Sequence, residues 1–173
     1  QSASSYGFEP VFEGYGKALE EQCRRAAAPG TEVHVKGIQM MAKDIVKYKA
    51  PQYYQKIQIL NNMLQAQAEG YDAFAIGCTL DDALEEGKAF VDIPVVGIAE
   101  SGFHLAMMLG GFFAVITNTI AFCNVFEEQA QKYGATRKFL PGPYICPATG
   151  EEIAEAIDHP DPLMAKVFPV AEK

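Results

Sequence analysis

Short apolar segments alternate with amphipathic helical patterns along the chain, and this alternation constrains the fold more than any other feature. Residues 71–77, 93–99 and 112–117 are almost wholly apolar, as strands covered on both faces of a sheet are. A pattern with helical spacing follows each of them. Strands alternating with helices predict an α/β fold with a parallel sheet. The strand-to-helix turns of such a sheet gather at its carboxyl edge, where ligands bind.

The spacing of apolar residues and the helix-stop signals give the remaining elements. Helices are predicted at 12–28, 51–69, 80–90, 101–109, 119–133 and from about 150, and two further strands at 31–38 and 139–145. An α/β domain usually opens on a strand, and a right-handed crossover places a strand after a helix. This chain opens on a polar segment and closes on the helical pattern 163–173. We therefore expect a fragment of a longer protein, or a chain lacking its disordered parts.

Composition argues against several functional classes. A net charge of −8 and a pI of about 4.9 argue against a nucleic-acid surface, where clustered Lys and Arg are expected. With 49% hydrophobic and 21% charged residues, the chain is typical of a soluble globular protein. The longest apolar stretch, 103–116, is too short and too interrupted for a membrane span. No signal-peptide pattern stands at the start, so a reducing cytoplasm is the expected location.

The four cysteines show neither a CxxC motif nor the Cys-His spacing of a zinc finger. No metal site and no disulfide scaffold is therefore predicted. Cys23 and Cys123 fall inside amphipathic helical patterns, which favours a packing role for both. Cys146 stands beside Pro147 and is interpreted as structural.

Cys78 differs from these three, because it stands where a buried strand gives way to a helical pattern, in FAIGCTLDDALEEG (74–87). Near a helix N-terminus, free backbone N–H groups and the helix dipole favour thiolate over thiol, which lowers the pKa of a cysteine. Thr79 is expected to cap that helix, with Asp82 as its capping-box partner. On position alone two interpretations stay open: a reactive thiol, or a small buried hydrophobe.

Two further turns carry polar groups. Thr117, Asn118 and Thr119 supply hydroxyls, an amide and helix-start N–H groups, a set that suits a carboxylate or an imide carbonyl. Ordinary helix capping is the alternative interpretation of this turn. Glu100 and Ser101 form the other turn, where they either orient a substrate or cap the helix that follows.

Four segments together resemble one known family. They are AAAPGTEVHV (26–35), the Gly77-Cys78-Thr79 turn with Asp81-Asp82, IPVVGIAESGFHLA (93–106) and FFAVIT (112–117). In this order and at these intervals they resemble the Asp/Glu/hydantoin racemase superfamily, and its hydantoin racemase branch above all. The resemblance covers most of the chain and implies an Asp/Glu racemase-like α/β fold that has two similar lobes when complete. The first lobe, with Cys78, is expected at 1–110, and the start of the second at 111–173.

The resemblance implies a cofactor-independent racemase or epimerase of amino acids or 5-substituted hydantoins, with two cysteines facing each other across the substrate. One thiolate removes the α-proton, and the other cysteine, as a thiol, returns a proton from the opposite face. Cys78 matches the first cysteine of the family. Thr79 and the Thr117-Asn118-Thr119 turn match segments that hold the substrate's carboxylate or ring. Glu100 and Ser101 match a turn that borders the pocket.

Two parts of the family pattern are not found in these residues. The family's opening strand, with its Asn-Pro-Asn substrate-binding turn, is expected before Gln1. Its second cysteine is expected after a helix like 161–173, and neither Cys123 nor Cys146 stands in that context. The chain as written is therefore expected to hold half of a two-base site and to be unable to racemise a substrate by itself.

Other functions would use the same residues. A maleate cis–trans isomerase would employ Cys78 as a nucleophile. An arylmalonate decarboxylase keeps only the later cysteine, so the presence of Cys78 argues against it. A non-catalytic α/β binding protein with a buried Cys78 is the remaining alternative. The expected partner is a small carboxylate or hydantoin substrate, with no nucleic acid, membrane, metal or cofactor. Family members often associate, so a homo-oligomer is also expected.

Overall fold

The computed structural model describes residues 10–38, 48–156 and 159–172. The chain divides into two compact units, Gln1–Ile98 and Ala99–Lys173. Buried apolar side chains occur in both units, so each has an interior of its own. The predicted lobes, 1–110 and 111–173, concern the complete family fold and stay a prediction.

The first unit combines a parallel sheet with helices. Its described elements are α1 (Pro10–Ala26), α2 (Lys49–Ala68), β1 (Phe74–Ile76), α3 (Leu84–Phe90) and β2 (Val95–Gly97). The two strands pair in parallel with Ile76 opposite Gly97, so both end at the same edge. The helix between them makes the crossover that a parallel pair requires. The predicted parallel α/β arrangement is thereby confirmed for this unit.

The interior of the first unit forms where α3 packs between α2 and the sheet. Met63 on α2, Ile76 on β1 and Leu84 on α3 are the largest fully buried side chains of its described part. Burying a side chain of this size contributes roughly 1.5–3 kcal/mol to the free energy of folding. Gly87 permits the close approach of α3, because a methyl group at this position would lie 2.4 Å from the sulfur of Met63.

The second unit is mainly helical in its described part. Its helices are α4 (Ile98–Leu109), which begins at the boundary between the units, α5 (Ile120–Lys132), α6 (Gly150–Glu155) and α7 (Asp161–Ala171). Two isolated parallel bridges join the segments on either side of α5, Phe113 with Phe139 and Thr117 with Ile145. The segments 112–117 and 139–145 therefore run side by side in the same direction.

Aromatic rings fill the interior around the first bridge. The ring of Phe103 on α4 lies 5.5 Å from that of Phe113, 5.8 Å from that of Tyr133 and 5.7 Å from that of Phe139, centroid to centroid. The contacts with Phe113 and Tyr133 are edge-to-face, an arrangement that aromatic quadrupoles favour. Because Tyr133 closes α5, this cluster holds α4 and the end of α5 against the bridged segments.

Lys138 closes the C-terminal end of α4. Its Nζ donates hydrogen bonds to the backbone oxygens of Met107 at 2.6 Å and Gly110 at 3.2 Å. The last carbonyl groups of a helix have no partner within the helix and carry partial negative charge. An ammonium group at this position donates hydrogen bonds to these carbonyl groups and offsets their partial negative charge.

A capping box opens α6. Thr149 Oγ1 accepts a hydrogen bond from the Glu152 N–H at 3.2 Å, and Glu152 Oε2 accepts one from the Thr149 N–H at 3.0 Å. Glu152 Oε1 also accepts from Lys166 Nζ on α7 at 2.6 Å. The hydrogen bond from Lys166 holds the pKa of Glu152 below its usual value. One carboxylate therefore caps α6 and ties it to α7.

The predicted strand 31–38 is wrong, because these residues form neither a strand nor a helix. The segment instead hydrogen-bonds with α2. The Lys36 ammonium donates to Gln65 Oε1, and Asn62 Nδ2 donates to the Gly37 oxygen at 3.5 Å. These polar contacts join the segment to a helix.

Other predicted elements differ in extent. The predicted strands 112–117 and 139–145 are reduced to the two bridges, since the second contains prolines that cannot donate to a ladder. The helix predicted at 80–90 begins only at Leu84. The helical pattern from about 150 divides into α6 and α7.

Within the described ranges, no helix combines the length and the apolar character needed to cross a membrane.

Replacing Lys138 with Met is expected to lower the free energy of unfolding by about 2 kcal/mol, because two carbonyl groups lose a charged donor. Urea denaturation followed by circular dichroism measures the change. Arg137→Met is the matched control, since Arg137 is the exposed neighbour of the half-buried Lys138. A Lys138→Met variant as stable as the wild type would contradict the capping role.

Candidate active site

Cys78 lies in a loop that leaves the C-terminal end of β1. The loop makes two consecutive turns: the Asp81 N–H donates to the Cys78 oxygen at 3.0 Å, and the Leu84 N–H donates to the Asp81 oxygen at 3.1 Å. Helix α3 therefore starts only at Leu84, after both turns. The prediction that Cys78 stands at or just before a helix N-terminus is wrong, because these turns lie between the strand and the helix.

Two residues of this loop have left-handed backbone conformations. The φ angle is 49° at Asp81 and 65° at Ala83, and both residues are buried. Aspartate tolerates this region better than most residues, whereas the conformation costs alanine roughly 1–2 kcal/mol. The surrounding packing must offset that cost. Such locally strained backbone is common at functional sites.

The Asp81 side chain lies against the end of β2. A methyl group at Gly97 would stand 2.5 to 2.6 Å from the carboxyl carbon and both carboxyl oxygens of Asp81. Because such distances are far below van der Waals contact, only glycine leaves room for this carboxyl group. The contact joins the loop after β1 to the neighbouring strand.

The Cys78 side chain is half-buried, and its sulfur is a thiol near neutral pH. Burial raises the pKa of the Cys78 thiol to about 11, although a hydrogen bond from the Leu80 backbone N–H lowers it. The carboxylates of Asp82 and Asp81 raise it further. The expected lowering of this pKa by a helix start is therefore wrong. The helix begins too far along the chain, and desolvation is the largest influence on this pKa.

Asp82, which follows Asp81 in the same loop, is also buried. Desolvation raises the pKa of its carboxyl group to about 6, while the positive charge of Lys56 lowers it and the carboxylates of Glu86 and Asp81 raise it. Lys56 and Glu86 themselves form an ion pair of 2.8 Å. The loop that carries Cys78 therefore holds a carboxyl group that changes charge near pH 6.

Thr79 is exposed and does not cap α3. The N-cap position of α3 is occupied by Ala83, which makes no side-chain capping hydrogen bond. The predicted capping pair of Thr79 and Asp82 is therefore wrong. Because Thr79 adjoins Cys78 in the same loop, its role in substrate binding stays a prediction.

Thr117, Asn118 and Thr119 lie in the second unit, where Thr117 forms the second bridge and the other two lead into α5. The backbone of Thr117 is paired on both sides, through its N–H to the Tyr144 oxygen at 3.0 Å and through its oxygen to the Cys146 N–H at 2.8 Å. Thr119 is the N-cap of α5, and its Oγ1 accepts a hydrogen bond of 3.4 Å from the backbone N–H three residues later. The capping interpretation is confirmed for Thr119. Substrate binding by the three residues stays a prediction.

Glu100 and Ser101 lie inside the first turn of α4, which begins at Ile98. The turn predicted at this point is wrong, because the helix follows β2 without an intervening loop. Glu100 is half-buried and Ser101 is exposed. Since the helix starts before them, neither residue stands at its N-cap position. Their place at the border of a pocket stays a prediction.

The remaining cysteines have interior or intermediate positions. Cys123 and Cys146 are buried in the second unit, and Cys23 is half-buried on α1, as expected for packing roles. The ring of the exposed His104 lies 6.3 Å from that of Tyr133 in the second unit. Within residues 10–38, 48–156 and 159–172, no cluster of His, Cys, Asp and Glu could hold a metal ion.

Sequence patterns did not reveal the contact of Asp81 with Gly97. The pair Asp81-Asp82 resembled the acidic first turn of a helix, and Gly97 stood inside an apolar run. Gly97 nevertheless gave a hint of this contact, since a glycine inside a strand often marks the close approach of another group.

The chain is similar to a known family and to two curated relatives. The family model described as Asp/Glu/Hydantoin racemase matches residues 13–173. A hydantoin racemase from Pseudomonas sp. (strain NS671) is 31% identical over 124 residues, which are 72% of this chain and 49% of the relative. A hydantoin racemase from Rhizobium meliloti is 32% identical over 79 residues, 46% of this chain and 33% of the relative. The chain spans about half the length of the curated relatives it matches, or less.

Two solved structures share the fold. The allantoin racemase from Pseudomonas fluorescens matches 90% of this chain and 63% of its own, with a TM-score of 0.69 and 20% identity. The allantoin racemase from Klebsiella pneumoniae matches 73% of this chain and 51% of its own, with a TM-score of 0.68 and 21% identity. This likeness confirms the predicted Asp/Glu racemase-like α/β fold.

Asp82→Asn is expected to stabilise the protein near neutral pH but not in acid. The pKa of Asp82 in the fold, about 6, lies above its ordinary value of 3.8. Folding therefore favours the protonated carboxyl group. Its contribution to the free energy of unfolding is complete below about pH 4 and is lost as the pH rises to about 6. Above that range the buried carboxylate lowers the free energy of unfolding by up to about 3 kcal/mol, which asparagine avoids.

Urea denaturation near pH 4 and near pH 8 measures the pH dependence of this gain. Asp72→Asn is the control for removing one negative charge, because Asp72 is exposed in the loop before β1. A gain that is the same at both pH values, or equal to that of Asp72→Asn, would contradict the unfavourable burial of the Asp82 carboxylate.

Proposed function

Because this chain belongs to the Asp/Glu/hydantoin racemase family, we propose that it is part of an isomerase that racemises 5-substituted hydantoins or amino acids without a cofactor. The observation that carries the proposal is Cys78, a half-buried thiol in the loop that follows β1. The curated relatives described above are hydantoin racemases, so hydantoins are the first substrates to test.

Racemisation of a hydantoin inverts a single carbon atom. The C5 proton is acidic because its removal leaves an enolate, whose negative charge is shared with the oxygen of the adjacent carbonyl group. A proton delivered to the opposite face of C5 gives the other enantiomer. The overall reaction consumes no oxidant or reductant. It requires a base on one face of the ring and an acid on the other.

We assign the acid of the resting enzyme to Cys78. Burial raises the pKa of its thiol to about 11, so the sulfur carries a proton near neutral pH. As negative charge develops on the substrate, that proton passes from the sulfur to carbon. The Leu80 N–H then stabilises the thiolate, since this hydrogen bond lowers the pKa of the thiol. In the reverse direction the same thiolate removes the proton.

We propose that the second base is a cysteine outside these 173 residues. Cys123 and Cys146 are buried in the second unit, which makes them poor candidates. The chain spans 49% of the Pseudomonas hydantoin racemase, so the complete relatives contain a further segment in which such a residue can lie. In a two-base site one group must be ionised while the other is protonated. If Cys78 is the thiol, its partner is the thiolate.

The proposal gives polar residues a part in substrate binding. Thr79 adjoins Cys78 in the same loop and is assigned a hydrogen bond to the substrate. The Thr117-Asn118-Thr119 segment, Glu100 and Ser101 stay predicted substrate-binding residues. Although the Thr119 oxygen caps α5, a hydroxyl can accept one hydrogen bond and donate another. A cytoplasmic location and a homo-oligomeric state are likewise predictions.

Two alternatives use Cys78 differently. In a maleate isomerase the sulfur adds to a carbon–carbon double bond, and the nucleophile is the thiolate. The raised pKa of Cys78 therefore favours proton donation over nucleophilic attack. In a non-catalytic binding protein the thiol would only pack, and a bound hydantoin would keep its C5 proton.

Proton–deuterium exchange in D2O tests the proposed function. The full-length protein is incubated with 5-substituted hydantoins, aspartate and glutamate, and loss of the α-proton signal is followed by NMR. Cys78→Ser is expected to slow exchange at least about 100-fold, because a hydroxyl group is a much weaker acid than a thiol. Cys23→Ser is the matched control, since Cys23 is also a half-buried thiol of the first unit.

Different outcomes separate the alternatives. Absence of exchange with every substrate would remove the racemase function. Conversion of maleate to fumarate, with a covalent adduct on Cys78, would replace it with the isomerase alternative. Wild-type exchange in Cys78→Ser would show that another residue transfers the proton.

A further inference from the structure

We propose that Asp81 is a positioning residue for Cys78. Its carboxyl group, seated on the backbone of Gly97, holds the loop after β1 in the conformation that presents the thiol. The catalytic meaning of this inference rests on the proposed function, whereas the positioning itself does not. Asp81 acts through the loop and is assigned no contact with the reacting atoms.

The backbone of Asp81 belongs to both turns of the loop. Its N–H donates to the Cys78 oxygen, and its own oxygen accepts from the Leu84 N–H. The left-handed φ of 49° lies at the residue that the two turns share. The path of the chain from Cys78 to α3 therefore passes through a left-handed residue that both turns share.

The side chain of Asp81 anchors those turns to the sheet. The residue is only 3% exposed, and its three carboxyl atoms lie 2.5 to 2.6 Å from where a Cβ of Gly97 would stand. Gly97 is itself fixed opposite Ile76 by strand pairing. Since Ile76 is the last residue of β1, the carboxyl group attaches the loop close to the point where the chain turns toward Cys78.

Asp81 also acts on the thiol through its charge, so position and charge must be separated. The Leu80 N–H lowers the pKa of the thiol, and the carboxylates of Asp82 and Asp81 raise it. Asp82 in turn faces Lys56 and Glu86. Asparagine at position 81 keeps the shape of the side chain and tolerates the left-handed backbone, but removes the charge. Glycine tolerates the backbone and removes both shape and charge.

The rate of alkylation of Cys78 by iodoacetamide, measured from neutral to alkaline pH on the full-length protein, is the readout. Mass spectrometry resolves the four cysteines. Cys23 is half-buried and reports the reactivity of the reagent, while the buried Cys123 and Cys146 report global unfolding. The variants are Asp81→Gly, Asp81→Asn, Gly97→Ala and the double variant Asp81→Gly/Gly97→Ala.

Asp81→Gly is expected to change the Cys78 rate at least about fivefold, since residues in contact are strongly coupled. Gly97→Ala should have an effect of similar size, because its methyl group displaces the carboxyl group. The double variant should match Asp81→Gly, because the methyl group then meets no carboxyl group. Asp81→Asn removes one negative charge and should only shift the Cys78 rate profile along the pH axis. Apart from that shift, the rate should equal the wild-type rate.

Several results would overturn the proposal. Identical profiles for Asp81→Gly and Asp81→Asn would mean that Asp81 acts by its charge. A wild-type profile in Asp81→Gly, or additive effects in the double variant, would also exclude positioning. If Cys123 and Cys146 become reactive in Asp81→Gly, that variant has unfolded. The Cys78 alkylation rates of Gly97→Ala and Asp81→Asn are then compared instead. Unfolding of Gly97→Ala, or a wild-type Cys78 rate in it, then overturns the proposal.

Alkylation does not depend on racemisation, so this inference and the proposed function fail separately. In the exchange assay, Asp81→Gly should lower kcat about 100-fold with little change in KM, the effect of a displacement on the order of 1 Å near a reacting atom. Asp81→Asn should restore most of kcat. Altered alkylation in a protein that exchanges no proton would leave the positioning of Cys78 intact and remove only its catalytic meaning.

Discussion

The parallel pairing of β1 with β2 is the interaction on which the candidate site of the first unit depends. Because Ile76 and Gly97 stand opposite each other, both strands end at one edge of the sheet. The absent side chain of Gly97 leaves the space that the Asp81 carboxyl group occupies. Two turns that share Asp81 then lead from Cys78 to α3. A very short sheet thus fixes the position of the thiol.

Burial, rather than a helix terminus, sets the protonation of this loop. A helix dipole acts within about its first turn, and α3 starts only after both loop turns are complete. Removal from water raises the pKa of Cys78 to about 11 and that of Asp82 to about 6, so each favours its neutral form. These groups suit a loop that releases a proton to a developing carbanion, which is the task proposed for Cys78.

The α/β class and the place of Cys78 after a strand could be predicted, because apolar runs and helical spacing are local patterns. The path from Cys78 to α3 could not, since its left-handed residues are Asp81 and Ala83 rather than glycines. The segment 31–38 alternates like a strand, yet these residues form no strand and hydrogen-bond with α2. The Asp81–Gly97 contact joins residues from different elements, so only tertiary structure reveals it.

The Asp81–Gly97 contact also limits how this part of the chain can diverge. In a relative that keeps a carboxyl group at the first position, a side chain at the second would displace that group, because its Cβ would meet the carboxyl atoms. A relative with a smaller residue at the first position is free to carry a side chain at the second. The two positions are therefore expected to covary.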